Sequence, residues 1–146
     1  MSTRTFDRSL AVDLSFTSAN AAGTVAGTAV YGVAGYSALV IYAELTGATG
    51  GTLDIYLQDT PDGGTTWVDY AHFPQIAAGA GVILRRWAVA DGAQQTTLAT
   101  VGKGTSPALA ANTIVGGPWG NGFRVVSVAG AGTSAGAAQV IKLHFS

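Results

Sequence analysis

Hydrophobic and polar residues alternate most regularly in the segment Gly50–Phe73, on both sides of a Pro-Asp-Gly-Gly sequence at residues 61 to 64. Leu53, Ile55 and Leu57 recur with a period of two, which is typical of a strand with one buried face. Proline, aspartate and glycine favour tight turns, because they fix φ, accept backbone N–H groups or adopt positive φ. The pattern therefore predicts a β-hairpin around which the rest of the chain is organised.

A four-residue turn at the tip would also set the register of this hairpin. Side chains of the same character then face one another across the two strands, which gives one coherent apolar face. The predicted cross-strand pairs are Thr60 with Thr65, Leu57 with Val68, Ile55 with Tyr70, and Leu53 with His72.

Alternation or short apolar runs bounded by glycine indicate strands elsewhere, and no segment has a convincing helical period. The further predicted strands are Leu10–Phe16, Thr24–Val33, Tyr36–Leu45, Val82–Ala90, Gln94–Val101, Thr113–Val115, Phe123–Ala129 and Gln139–Phe145. Long loops are expected at residues 102 to 112 and 116 to 122, where glycine and proline interrupt the pattern.

These elements predict an all-β, single-domain β-sandwich over residues 9 to 146, preceded by a polar N-terminal arm at residues 1 to 8. A jelly roll is the expected topology, with an immunoglobulin-like sandwich or a barrel as the alternatives. The predicted core residues are Leu39, Ile41, Leu53, Ile55, Leu57, Val68, Tyr70, Val125, Ile141 and Leu143.

Composition narrows the possible functions. Only 10% of the residues are charged and the net charge is −1, which argues against binding to nucleic acid because phosphate contacts need clustered Lys and Arg. The absence of cysteine excludes disulfides and thiolate metal sites. Neither a signal peptide nor an apolar run long enough for a membrane span is evident, so no membrane partner is expected.

Residues 60 to 67 read T-P-D-G-G-T-T-W and resemble an Asp box, the hairpin motif that recurs in sialidase propellers. The motif occurs once here, whereas a propeller would repeat it in each blade. The resemblance therefore implies only a local turn, in which Asp62 accepts backbone N–H groups, Gly63 and Gly64 adopt positive φ, and Trp67 packs beside the turn. A structural role is expected for all four residues.

Candidate catalytic and metal-binding groups are few. His72 and His144 lack the spacing of a metal motif and are expected at the surface or rim. Ser134 lies in a G-x-S-x-G sequence, but a strand rather than a helix is predicted after it, and no acidic residue follows to complete a hydrolase triad. Asp59 and Asp62 could hold a weak Ca²⁺, although turn chemistry explains both. We therefore expect no enzyme activity, cofactor or metal.

The charge-poor, Gly/Ala/Thr-rich strands and the segment L-D-I-Y-L-Q-D-T-P-D-G-G-T-T-W-V-D-Y-A-H-F resemble structural proteins of tailed bacteriophages. Within that group the chain is most similar to head decoration or cement proteins. The resemblance implies a virion protein assembled in the host cytoplasm, which binds the major capsid protein as a homodimer or homotrimer and stabilises the capsid lattice. A phage tail or fibre component is the alternative within this class.

The sequence also suggests which residues would contact a partner. Trp119, flanked by Pro118, is the expected anchor, because buried aromatic side chains contribute much of the energy of protein interfaces. Lys103 lies in the other Gly-rich loop, which is long enough to drape over a neighbouring molecule. A glycan-binding sandwich is the alternative from a different class, with Tyr56, Trp67 or Trp119 as the sugar platform.

Overall fold

The computed structural model describes residues 9 to 90 and 99 to 146 and confirms an all-β architecture, with eleven strands and no helix in these residues. The strands are β1 Leu10–Asp13, β2 Phe16–Thr17, β3 Gly23–Ala26, β4 Val30–Tyr31, β5 Ala38–Leu45, β6 Leu53–Thr60, β7 Val68–His72, β8 Ile83–Ala90, β9 Thr113–Ile114, β10 Gly122–Ala129 and β11 Ala138–Phe145.

The strands form two antiparallel sheets. The first has the order β1-β11-β5-β8, with the short β2 also paired to β11. The second has the order β3-β10-β6-β7-β9, with the short β4 also paired to β10. Two such sheets with a shared core are a β-sandwich, as predicted, while the jelly-roll topology stays a prediction.

The core lies between the sheets because alternate side chains of each strand point inward. Leu39 and Ile41 of β5 meet Ile55 and Leu57 of β6 in one buried cluster, and all four are fully inaccessible to solvent. Nine of the ten predicted core residues are buried. The exception is Val68, which is only half-buried. Phenylalanines that the strand pattern did not single out fill the remaining space: Phe73, Phe123 and Phe145.

The predicted register of the central hairpin is wrong. Asp59, rather than Leu57, lies opposite Val68, so the turn is longer than four residues. The pairing then shifts at Tyr70, because Gln58 pairs with Asp69 whereas Leu57 pairs with Ala71. This β-bulge directs both Tyr70 and Ala71 into the core. An extra residue in one strand cannot be read from a period of two.

Two predicted strands are each divided in the structure. Leu10–Phe16 is interrupted after Asp13, whose carboxylate accepts the Ser15 N–H at 2.9 Å, and the two pieces are β1 and β2. Thr24–Val33 is replaced by β3 and β4. The N-terminal arm and most of the predicted strand Gln94–Val101 lie outside the described residues, and residues 99 to 101 form no strand.

Candidate functional site

The tip of the central hairpin is held by side-chain to backbone hydrogen bonds. Asp62 Oδ1 accepts the Thr66 N–H at 2.7 Å, and the Thr60 hydroxyl accepts the Gly64 N–H at 2.7 Å. The Thr66 bonds hold the pKa of Asp62 below its usual value, with a further contribution from Thr60. Gly63 and Gly64 have φ values of 71° and 104°, where a side chain would be strained. The turn chemistry thus uses the carboxylate of Asp62.

Trp67 packs beside this turn and is only 7% exposed. Its ring centroid lies 6.1 Å from that of Tyr31, and the Arg124 guanidinium lies 4.8 Å from the ring. Arg124 Nε also donates to Gln58 Oε1 at 3.0 Å, which fixes the cation over the indole. With these neighbours in place, the ring is not a free platform for a sugar.

Trp119 does not have the position that the sequence suggested. The ring is 9% exposed, and its Nε1 donates to the Val33 carbonyl at 2.9 Å. Its centroid lies 5.8 Å from that of Phe145 and 6.5 Å from that of Phe123. The expectation of an interface anchor is therefore corrected, because this indole belongs to the core. Its neighbour Pro118 is exposed.

The two Gly-rich loops both contact the central hairpin. Lys103 is exposed and pairs with Val68 in an isolated bridge, and the Gly104 N–H donates to the Trp67 carbonyl at 2.9 Å. On the other side, the Gly120 N–H donates to Asp59 Oδ2 at 2.9 Å. The structure thus brings Lys103 and Pro118 to loops that flank the same hairpin, and these loops pack on their own domain rather than extend away from it.

Asp69 is the polar residue that organises this region, although the sequence analysis did not single it out. It is 2% exposed, and its Oδ2 accepts three backbone N–H groups, from Gly102 at 2.8 Å, Ala108 at 2.8 Å and Leu109 at 2.9 Å. Its Oδ1 accepts from Gln58 Nε2 at 2.9 Å. One carboxylate therefore ties the 99–112 loop to the outer face of the second sheet.

His72 and Tyr56 also hold the 99–112 loop on the second sheet, and both are buried. The expectation of His72 at the surface or rim is therefore wrong. His72 is 6% exposed, with one ring nitrogen 2.7 Å from the Leu109 carbonyl and the other 3.1 Å from Asp54 Oδ1. Tyr56 stacks on the imidazole at a centroid distance of 3.8 Å. Burial, followed by the Asp54 and Asp69 charges, raises the pKa of Tyr56 to about 12. Tyr56 is therefore also unavailable to a glycan.

The described residues contain no group of three His, Cys, Asp or Glu side chains placed to bind a metal. Asp59 is held by the Gly120 N–H, and burial raises its pKa above the usual value despite that bond. Ser134 donates to the Thr49 carbonyl at 3.3 Å and precedes β11, so it does not stand at the start of a helix. In the same residues no helix is long and apolar enough to cross a membrane.

The outer face of the first sheet is different, because no segment of the described chain covers it. We define the docking face as the outward side chains of β5, β8 and β11, which form three rows across the sheet. The rows are Leu84–Glu44–Val140, Arg86–Tyr42–Lys142 and Ala88–Val40–His144. Leu84 is 66% exposed and Tyr42 is 43% exposed.

A groove of about 380 Å³ runs along the docking face. Leu84, Tyr42 and Val140 supply its apolar surface, and Arg86 and Lys142 supply positive charge. The Arg86 guanidinium lies 5.5 Å from the centre of the Tyr42 ring, a cation–π distance. The groove therefore combines exposed apolar side chains with cations, as surfaces that bind other proteins often do.

The second sheet shows what covering such a face requires. There the 99–115 segment supplies Leu109, which is buried against Tyr56 and Val126, with Ala99 and Val115 packed around them. The sandwich thus has one outer face that the 99–115 segment covers and one that no described segment covers.

No family model matches the chain, and no curated protein matches it. A search of solved structures finds a chain of the "Structure of infectious bursal disease virus Gx strain", with a TM-score of 0.38 and 13% sequence identity. The match covers 94% of this chain and 31% of that chain, so the present chain spans about a third of the viral one. A likeness at this TM-score carries no inference about function.

Proposed function

We propose that this chain is a non-enzymatic virion structural protein, a capsid decoration or cement protein that binds the major capsid protein and stabilises its lattice. The observation that carries the proposal is the docking face, where Leu84 and Tyr42 are exposed. The outer face of the second sheet is instead covered by the 99–115 segment. Contiguous exposed apolar surface on a small domain marks a site of protein contact.

The placement of the buried polar groups supports a binding role rather than a catalytic one. Asp69 is occupied by four donors, and both ring nitrogens of His72 lie at acceptors. A reaction centre needs a nucleophile, a base and an orienting group that converge on an accessible site. In the described residues these polar groups instead hold the loop on the sheet.

The alternative of a glycan-binding module lacks an exposed aromatic platform for a sugar among the residues predicted to form it. Tyr56, Trp67 and Trp119 are the aromatics it would need, and all three are less than 10% exposed, at 8%, 7% and 9%. A tail or fibre position remains the alternative within the virion class, because the same docking face would serve there.

Co-sedimentation of the purified protein with empty capsids tests the proposal. We expect binding by the unmodified chain, and a loss of about tenfold or more in affinity for Leu84→Asp, which introduces a charge at the centre of an apolar contact. Val25→Asp is the matched control, because Val25 is 37% exposed but lies on β3 of the other sheet. Circular dichroism verifies that both variants fold.

The particle that the chain binds distinguishes the capsid proposal from the tail alternative. Binding to purified tails instead of capsids would move the chain to the tail alternative. A chain that stays monomeric at high concentration and sediments with neither particle would refute the virion proposal. Sedimentation equilibrium tests the accompanying expectation of a homodimer or homotrimer, since several linked copies would bind a lattice with higher avidity.

A further inference from the structure

We infer that the docking face recognises an extended acidic segment of its partner, with an apolar residue two positions from a carboxylate. This inference rests on the proposed function and specifies the chemistry of the same site. It follows from how charge and apolar surface are distributed between two neighbouring rows of the face, Leu84–Glu44–Val140 and Arg86–Tyr42–Lys142.

The row containing Tyr42 is cationic on both sides. Arg86 and Lys142 pair with Tyr42 from the two neighbouring strands, and both are exposed. The described residues contain one ion pair, His72 with Asp54, so none of their carboxylates lies within 4.0 Å of Arg86 or Lys142. Asp13 of β1 is exposed and pairs with Lys142 on its other side, so it offsets part of the Lys142 charge. Arg85 adds a third positive charge at the rim of the groove, where it donates to the Leu84 carbonyl at 2.9 Å. A carboxylate placed over Tyr42 would therefore be attracted most strongly by Arg86 and Arg85, and less strongly by Lys142 because of the neighbouring Asp13.

The neighbouring row has the opposite preference. Leu84 and Val140 flank Glu44, which is the only acidic residue among the described residues that line the groove. A second carboxylate placed here would be repelled by Glu44, whereas an apolar side chain would fill the space between Leu84 and Val140. The two rows thus select for different residue types.

The spacing of the rows fits an extended peptide. Residues of one strand that share a face are two positions apart, about 6.5–7 Å along the strand. Alternate side chains of an extended segment have the same spacing, so an apolar residue at position i and an acidic residue at i+2 would reach successive rows.

A second copy of the chain fits the face less well. Stacking two docking faces about a twofold axis that passes through the Tyr42 row would bring Arg86 and Lys142 of each copy close to the same cations of the other. Like charges placed opposite one another are destabilising. Nucleic acid is also a poor fit, because three cations with an interposed Glu44 are few for phosphate contacts. An acidic protein segment is the occupant that this distribution favours.

The test uses the full chain and two synthetic peptides with alternating sequence, one with Leu-Thr-Glu at its centre and one with Leu-Thr-Lys. Binding is measured by NMR titration of the labelled protein. We expect the Glu peptide to bind about fivefold or more tightly than the Lys peptide, to weaken as salt rises, and to shift resonances of β5, β8 and β11.

Substitution by glutamate provides the matched pair of variants. Arg86→Glu should invert the preference between the two peptides. Thr24→Glu should leave it unchanged, because Thr24 is exposed but lies on β3 of the other sheet. Equal binding of the two peptides, or an unchanged preference in Arg86→Glu, would overturn the inference.

Capsid co-sedimentation tests the proposed function independently of the peptide titration. If Leu84→Asp abolishes capsid binding while the peptides are not distinguished, the virion role stands and the acidic-segment inference fails. If Arg86→Glu instead abolishes self-association measured by sedimentation equilibrium, the face binds a second copy and the inference is again overturned.

Discussion

Replacing Asp69 should release the 99–112 loop from the second sheet and destabilise the domain more than any other single polar substitution near the hairpin. Asp69→Ala removes the acceptor of three backbone N–H groups and of the Gln58 amide. Asp69→Asn is the matched variant, because it keeps the shape and can keep one oxygen facing the three N–H groups. Its amide would then meet the Gln58 Nε2 donor, which is an unfavourable pairing of two donors.

The size of the effect follows from the bonds and from how far the loop can relax. Each hydrogen bond to a charged group contributes about 1.5–3 kcal/mol, so three left unmade in place would cost about 4.5–9 kcal/mol. Detachment of the loop lets these N–H groups reach water, but it exposes Leu109, whose burial is worth about 1.5–3 kcal/mol. We therefore expect a loss of about 3–5 kcal/mol for Asp69→Ala, and about 1.5–3 kcal/mol for Asp69→Asn.

Urea unfolding followed by tryptophan fluorescence measures the free energy of unfolding of each variant. Hydrogen exchange then locates the change, since the amides of Gly102, Ala108 and Leu109 should lose protection first. A loss below about 1 kcal/mol for Asp69→Ala, or unchanged exchange at these three amides, would refute the role of Asp69 as the anchor of the loop.

Three further outcomes are expected. Ile55→Ala should lower the free energy of unfolding by about 2–5 kcal/mol, since Ile55 is fully buried; Ile55→Val should cost about 0.5–1.5 kcal/mol, and equal losses would contradict a close-packed site. Asp59 has a folded-state pKa raised by burial, so the unmodified chain loses stability as pH rises through that pKa; Asp59→Asn should gain relative stability from about pH 3 to 7, and a parallel pH profile would contradict this. Because burial raises the pKa of Tyr56 to about 12, its stabilising contribution is lost between about pH 10 and 12; Tyr56→Phe should flatten that decline and remove a step near pH 12 from the absorbance titration.

The period of two in the hydrophobic pattern predicted the strands that have one face in the core and the other directed outward. Ile41, Ile55 and Leu143 alternate with outward-facing residues, and each is buried as expected. The register of the central hairpin failed because the bulge at Tyr70 adds one residue without changing the hydrophobic pattern. A period of two locates a strand, but it does not count residues across a bulge.

The sequence did not predict the burial of Asp69 and His72, and the reason is different. Asp69 and His72 occupy outward positions where an aspartate and a histidine would ordinarily face water, and the segment that buries them lies more than 30 residues away in sequence. The prediction for Trp119 was wrong because its Gly/Pro-rich neighbours in sequence indicate an exposed loop. Its indole instead reaches the Val33 carbonyl in the core. Both outcomes depend on long-range packing that no local pattern contains.

The position of β10 and β11 within the two sheets has a consequence for how the chain can fold during synthesis. β11 lies between β1 and β5, and β10 lies between β3 and β6, so one interior strand of each sheet comes from residues 122 to 145. A nascent chain lacking these residues could form the β6–β7 hairpin and the β5–β8 pair, but neither complete sheet. Pairing of such distant segments slows folding, because loop-closure entropy is lost before native contacts compensate. Until residues 122 to 145 emerge from the ribosome, the apolar strand edges that β10 and β11 later cover would be exposed, and chaperones that bind extended apolar segments would encounter the protein at that stage.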